Sequence, residues 1–301
     1  YGTATKSGFY DVVVTVTTAG KQTASASQKV FVRKADEFVL DVAFDAAAGK
    51  VTGAGVYQSG KSVSLKATAN AAKKATAKTP EQIATVFAGW YADADFTVPL
   101  KGAADYRTPS FAYVMPDAHT TVYAQFVAQT DDVAAVSFEL PAELTNGVTE
   151  VNAPVDVSGC TSLPTVKVTG LPTGLKFTAK DILKKGSKTE VEVPANTIYG
   201  KATKSGVYTV IATVTTAGKK TASASRTVVV RKDGEYVVKA EVPAVDGAVP
   251  GKVTGMGVYA KDKKVTLKAT ANKGYVFSGW YDSDALVSRA ASYVIDKMPE
   301  G

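Results

Sequence analysis

The chain has 301 residues, is 45% hydrophobic, and carries 35 basic against 28 acidic residues for a net charge of +7. Its single cysteine, Cys160, excludes an intrachain disulfide, and its single histidine, His119, excludes zinc sites built from several His or Cys ligands. No apolar run approaches the ~18 residues of a membrane span, and the lysines alternate with apolar residues instead of clustering with aromatics, which argues for solvated sheet faces and against nucleic acid.

Residues 1–34 (YGTATKSGFYDVVVTVTTAGKQTASASQKVFVRK) return as residues 199–232 (YGKATKSGVYTVIATVTTAGKKTASASRTVVVRK). The two are identical at about three-quarters of positions, the mark of a tandem array. In the later copy, residues 207–215 put Tyr208, Val210, Ala212 and Val214 on one face and mostly Thr on the other, the period-two pattern of a half-buried strand. Residues 221–230 repeat it with Ala222, Ala224, Val228 and Val230 inward, so a hairpin is predicted, with its turn at Ala217-Gly218. Residues 9–32 predict the same hairpin in the first copy. Two strands alone are marginal in water, so this hairpin is expected to come from an excerpt of a longer array or to be completed by a neighbouring chain through strand addition.

Next comes a second kind of segment, about residues 37–126, with a strand over 38–44, GKVTGAGVY at 49–57 and an alternating stretch at 62–69. VFAGWY follows at 86–91, then Met115-Pro116-Asp117 and a closing strand at 121–126. The G-x-V-T-G-x-G-x-Y, F-x-G-W-Y and Y-A-x-F signatures resemble the bacterial repeat modules related to the divergent InlB B-repeats. A second copy starts near residue 235, carries Gly279-Trp280-Tyr281, and stops at Pro299-Glu300-Gly301 without a closing-strand equivalent. Between Asn70 and Phe87 the first copy carries about twelve extra residues, read as a surface loop or a short helix where backbone can reach water.

Residues 133–198 supply further strand candidates at 135–140, 155–157 and 165–168. LPTGLKF at 171–177, followed by GKATKSGVYTV at 200–210, resembles the immunoglobulin-like domains of large bacterial surface proteins, with a longer polar stretch at 179–197 where that family has a short turn. The predicted fold is all-β, an Ig-like β-sandwich alternating with a small β repeat domain. The domains expected are part of an Ig-like module at 1–35, a G-W-Y repeat module at 36–128, a complete Ig-like module at 129–233 and a second repeat module at 234–301. These resemblances imply an extracellular, bacterial cell-surface location. They also imply a structural or adhesive role as spacer, stalk or filament-forming array, with a carbohydrate-binding accessory region of a secreted enzyme as the alternative.

Candidate chemistry is sparse. A Ser/His/Asp or Cys/His constellation would have to use His119, which is expected in a solvated turn, so no catalytic residue, enzyme activity or cofactor is predicted. Gly251-Lys252-Val253-Thr254-Gly255 lacks the spacing of a phosphate loop. Asp93 with Asp95, and Asp282 with Asp284, read as turns, since a D-x-D pair supplies too few ligands for a hard cation and no metal site is expected. Cys160 reads as a small buried residue in a strand. Trp90 and Trp280 are expected in the core, leaving Tyr91 and Tyr281 on the opposite face as candidates for glycan or partner contact. The partners expected are neighbouring modules, other copies of the protein, and cell-wall or host glycans.

Overall fold

A computed structural model describes residues 2–76, 79–101, 105–185 and 190–296; Tyr1 and the terminal Pro299-Glu300-Gly301 lie outside them. Among the described residues every regular element is a strand except one short 3-10 turn, Gln129–Asp131. The backbone divides into two compact units. One comprises residues 1–135, 158–165 and 214–222, the other residues 136–157, 166–213 and 223–301.

The first copy of the long repeat forms the predicted hairpin, β1 (Gly8–Thr17) and β2 (Thr23–Val32), paired without interruption from Gly8↔Val32 to Thr17↔Thr23. It is a two-stranded sheet. Its inward-type residues are therefore open to solvent, with Val14 60% exposed. At its base the Ser7 hydroxyl donates to the Glu37 carboxylate at 2.5 Å.

The repeat segment that follows holds β3 (Glu37–Phe44), β4 (Gly49–Thr52), β5 (Gly55–Gln58), β6 (Ser62–Ala69), β7 (Thr85–Tyr91), β8 (Ser110–Val114) and β9 (Thr120–Ala128). They form two sheets, β5-β3-β9-β7 and β4-β6-β8. Strand β9 lies parallel to β3 and antiparallel to β7, so the last strand closes against the first. Alternation on β6 sends Val63, Leu65 and Ala67 into a core with Leu40, Phe87, Trp90, Met115 and Val122. The buried Trp90 indole donates to the Thr108 carbonyl at 3.0 Å, which satisfies its one polar atom. The extra residues after Asn70 form no helix among the described residues; Lys73 and Gln82 exchange backbone hydrogen bonds of 2.8 and 2.9 Å in a narrow loop, of which residues 77–78 lie outside the described residues.

Strand β7 carries a bulge between Phe87 and Gly89. A side chain at Gly89 would meet the Tyr106 ring at 2.6 Å, so glycine lets the returning loop lie against the strand. That loop donates and accepts along β7: Trp90 N–H donates to Tyr106 O at 3.0 Å, and Leu100 N–H donates to Trp90 O at 2.9 Å.

The next ten strands are β10 (Ala135–Phe138), β11 (Glu143–Thr145), β12 (Glu150–Ser158), β13 (Thr165–Thr169), β14 (Leu175–Thr178), β15 (Ile182–Lys185), β16 (Glu190–Val193), β17 (Thr197–Lys201), β18 (Gly206–Thr215) and β19 (Thr221–Arg231). Two four-stranded sheets result, β10-β12-β17-β14 and β11-β19-β18-β13. This is the order of an immunoglobulin-like sandwich, with the β15-β16 hairpin built from the long polar insertion. Each sheet buries one face: Phe138, Val151, Val155 and Ile198 on the first, Leu144, Val210, Ala212, Val214, Val228 and Val230 on the second. The Tyr208 hydroxyl donates back to Lys204 O at 2.9 Å, the corner contact expected near the start of such a strand. Tyr10 makes the same bond to Lys6 O at 2.8 Å in the first copy.

The second repeat segment holds β20 (Glu235–Val238), β21 (Gly251–Thr254), β22 (Gly257–Ala260), β23 (Val265–Ala271), β24 (Trp280–Asp282), β25 (Ala285–Ser288) and β26 (Ser292–Ile295). Its core repeats the first with Val238, Val265, Leu267, Ala269 and Trp280. Its sheets are smaller: β20-β22, β21-β23-β26 and β24-β25.

Candidate functional site: a buried carboxylate beyond the first repeat

After β9 the chain makes the 3-10 turn and delivers Asp132 into a position with no solvent exposure. Its carboxylate accepts hydrogen bonds from Ser162 N–H at 3.1 Å, Ser162 Oγ–H at 2.7 Å, Thr161 Oγ1–H at 3.3 Å and Gly218 N–H at 3.2 Å. Burial alone would raise this carboxyl, but the donors from Ser162 and Gly218 outweigh it and hold it below its ordinary value. Ser162 Oγ also accepts Ala217 N–H at 3.1 Å, so the Thr216-Ala217-Gly218 turn of the β18-β19 hairpin is tied down on both sides.

Further bonds surround this cluster. Gln129 Nε2 donates to Gly218 O at 2.7 Å, and the Lys220 ammonium donates to Thr130 O at 2.5 Å. Arg107 pairs with Asp105 at 2.7 Å while its Nη1 points at the carbonyls of Cys160 and Ser162, 3.4 and 3.5 Å away. Burial pushes the Asp105 carboxyl up, yet the Arg107 guanidinium more than offsets this and leaves it lowered. All these residues lie in the first compact unit.

A second polar corner is built twice. Glu37 accepts Ser7 Oγ–H and Lys34 N–H at 2.5 and 2.9 Å; Glu235 accepts Ser205 Oγ–H and Lys232 N–H at 2.6 and 2.7 Å. In each copy an arginine, Arg33 or Arg231, donates to the backbone carbonyl of that glutamate. The same four residue types thus fix the passage from hairpin to repeat segment in both places.

The residues singled out from sequence do not converge. Trp90 and Trp280 are core residues. Tyr91, expected on the surface, is 7% exposed, because the loop after β7 folds back and packs Phe96 and Tyr106 edge-on against its ring at 5.4 Å. That burial, with Tyr106 beside it, pushes the Tyr91 hydroxyl up to about 12. Tyr281 is 54% exposed. Asp93 accepts Thr97 Oγ1–H and the amides of Thr97 and Val98, the turn expected of it, and these bonds, led by the Thr97 hydroxyl, lower its carboxyl. His119 is exposed, as a turn residue should be, but its Nδ1 also accepts Val39 N–H at 2.9 Å, next to the point where the β3–β9 pairing begins at Leu40↔Thr120. Cys160 lies half-buried in the loop after β12, not in a strand, because β12 ends at Ser158 and the chain turns there to reach Asp132. Sequence reasoning passed over Asp132 and Ser162; the signal that could have found them was the Thr-Ala-Gly turn repeated at 18–20 and 216–218.

The family described as the divergent InlB B-repeat domain matches residues 40–130 and 242–301, half of the chain. The chain belongs to the divergent InlB B-repeat family. The first B-repeat match ends two residues before Asp132, so the buried carboxylate lies at the exit of the B-repeat. No curated protein matches the chain. Among solved structures it is similar to the crystal structure of the protocadherin GammaB4 extracellular domain, at 10% identity and a TM-score of 0.22. That alignment covers 99% of this chain and 55% of the other. Each B-repeat in this chain keeps its tryptophan in the core and anchors the indole N–H to a carbonyl, Thr108 O or Ala290 O, at 3.0 Å.

Proposed function

We propose that this chain is a load-bearing spacer region of an extracellular bacterial surface protein, with neighbouring modules and other copies as its partners and no reaction of its own. One observation carries the reading. In the first B-repeat the first and last strands, β3 and β9, are parallel neighbours from Leu40↔Thr120 to Phe44↔Ala124. In the sandwich, β11 near its start and β19 at its end are parallel neighbours from Glu143↔Val229 to Thr145↔Arg231. Tension applied to the two ends of such a module pulls parallel neighbours past each other along their length. All the cross-strand bonds then share the load at once, whereas an antiparallel pair pulled from one end would open bond by bond.

The hydrogen-bonded corners at Glu37, Glu235 and Asp132 support the same reading, since each ties the chain down where one module passes into the next. The extracellular placement rests on the family. Membership in a repeat family is a fold-level argument for role, so the mechanical test decides it. Force spectroscopy on the chain held at its two ends should give separate unfolding events for the first B-repeat and the sandwich, each releasing roughly 300 Å at ~3.3–3.6 Å per residue. Smooth extension without such events would remove the proposal.

The alternative, a carbohydrate-binding accessory region of a secreted enzyme, loses half of its aromatic pair with the burial of Tyr91. Tyr281 remains as its contact residue, and a glycan array probed with the wild-type chain and with Tyr281→Ala tests it.

A further inference from the structure

The outer face of one sheet of the sandwich carries side chains that its core does not explain. In the order β10-β12-β17-β14, Ile198 on β17 is fully buried, so the next residue, Tyr199, points to the outer face. Tyr199 is paired with Asn152 of β12 on one side and with Lys176 of β14 on the other. The three side chains therefore stand in one row across the sheet, within reach of a common ligand. Asn152 and Lys176 are exposed and Tyr199 is half-buried. Two residues along β17, the exposed Lys201 lies opposite Glu150.

The β15-β16 hairpin turns this row into a cleft of about 370 Å³, with Lys176, Tyr199 and Lys201 on the sheet side and Ile182 and Leu183 on the hairpin side. That volume is at the small end of ligand sites, about 300–1,000 Å³, and suits a unit the size of a sugar ring. Its chemistry is one-sided, because two ammonium groups line it and no carboxylate does. Among the described residues the Lys176 ammonium has no partner, and Lys201 reaches Glu150 only at 3.8 Å. The Tyr199 hydroxyl is likewise unbonded. Leu183 is 66% exposed, so the hairpin presents apolar surface to the same space. An aromatic face, an apolar wall, a free amide and available cations fit a ring with an apolar face, hydroxyl edges and a negative charge.

We propose that this cleft of the sandwich binds an acidic sugar unit, a hexuronate within a glycan chain. The pyranose ring lies on Tyr199, its carboxylate sits between Lys176 and Lys201, and Asn152 bonds a ring hydroxyl. A neutral sugar keeps the stacking but loses the charge-assisted bonds, which are roughly twice as strong as neutral ones. The inference stands apart from the load-bearing reading, because a spacer can carry this site or lack it. It is also independent of Tyr281, which belongs to the second B-repeat.

The test is an NMR titration of the whole 301-residue chain with a disaccharide containing glucuronic acid, with its neutral glucose counterpart, and with inorganic phosphate. The acidic sugar should shift the amides of 175–177 and 198–201 to saturation, with a dissociation constant at least about tenfold below that of the neutral sugar or phosphate. Lys176→Gln, at an exposed position, should weaken acidic binding about fivefold, the upper end for one exposed ion pair. The same variant should leave neutral binding unchanged, a split that a merely structural role would not give. Tyr199→Ala should abolish binding of both sugars, and Tyr281→Ala should change neither. If Tyr199→Ala fails to fold, Lys176→Gln still decides. No saturable shift at 175–177 and 198–201, equal affinity for the neutral sugar or phosphate, or unchanged acidic binding in Lys176→Gln would overturn the proposal.

Discussion

The Asp132 carboxylate accepts both the amide and the hydroxyl of Ser162, at 3.1 and 2.7 Å, across 30 residues of chain. With Gly218 N–H as a further donor, the group is both buried and satisfied. Asp132→Ala should destabilise the protein by about 1–3 kcal/mol, because Ser162 and Gly218 would be left with unpaired buried donors. Urea denaturation of the variant against wild type checks this, and an unchanged midpoint would contradict it.

The same group sets an acid limit. Its folded value lies below the ordinary 3.8, so deprotonated Asp132 stabilises the fold fully above that value. The stabilisation is lost as pH falls through the lower folded value, since the unfolded chain then binds the proton first. Stability should therefore hold from neutral pH down to about pH 4 and fall below it. Asp132→Asn should show a shallower fall over the same range.

Gly218 and Gly20 occupy matching turns in different surroundings. A side chain at Gly218 would meet Gln129 Cγ at 2.8 Å and Gln129 O at 3.3 Å; one at Gly20 would meet only Thr18 Oγ1, at 3.9 Å. Gly218→Ala should cost about 1–3 kcal/mol by forcing the turn off Gln129. Gly20→Ala should stay within about 0.5 kcal/mol. Equal effects at the two sites, measured by thermal unfolding, would show that the turn at 216–220 is not docked.

Tyr91 and Tyr281 follow the two tryptophans but should respond differently. Tyr91→Ala removes a ring packed against Phe96 and Tyr106 and should cost about 3–5 kcal/mol. Tyr281→Ala, at a half-exposed position, should cost about 0.5 kcal/mol or less. Calorimetry of the two variants gives the comparison.

Val12 and Val210 stand at the same place in the two copies of the long repeat. Val210 is fully buried and Val12 is 49% exposed. Val210→Thr places a hydroxyl inside the sandwich and should cost about 1–3 kcal/mol. Val12→Thr should be neutral within about 0.5 kcal/mol. A large loss at Val12 would mean that its face is covered in solution.

Much of the fold could be read from residue order. Alternation at 207–215 and 221–230 placed β18 and β19 and named Val210, Ala212, Val214, Val228 and Val230 as the buried face. The Phe-x-Gly-Trp-Tyr signature put Trp90 and Trp280 inside. Alternation before Cys160 predicts a strand there, but β12 ends at Ser158 and the chain is already turning toward Asp132.

The sequence by itself determined that the chain repeats, that its elements are strands, and which side of each strand is apolar, because a period of two is a local property of the backbone. Only the tertiary structure decided which apolar sides are covered. Val12 and Val210 carry the same side chain in the same kind of hairpin, yet Val210 is covered inside the sandwich while Val12 stands on a two-stranded sheet that no second sheet covers among the described residues. Tyr91 went the other way, buried by a loop whose return depends on Gly89 and Tyr106. Asp132 could be buried as a carboxylate only where Ser162 and Gly218 arrive from 30 and 86 residues along the chain, a coincidence in space that no local pattern encodes.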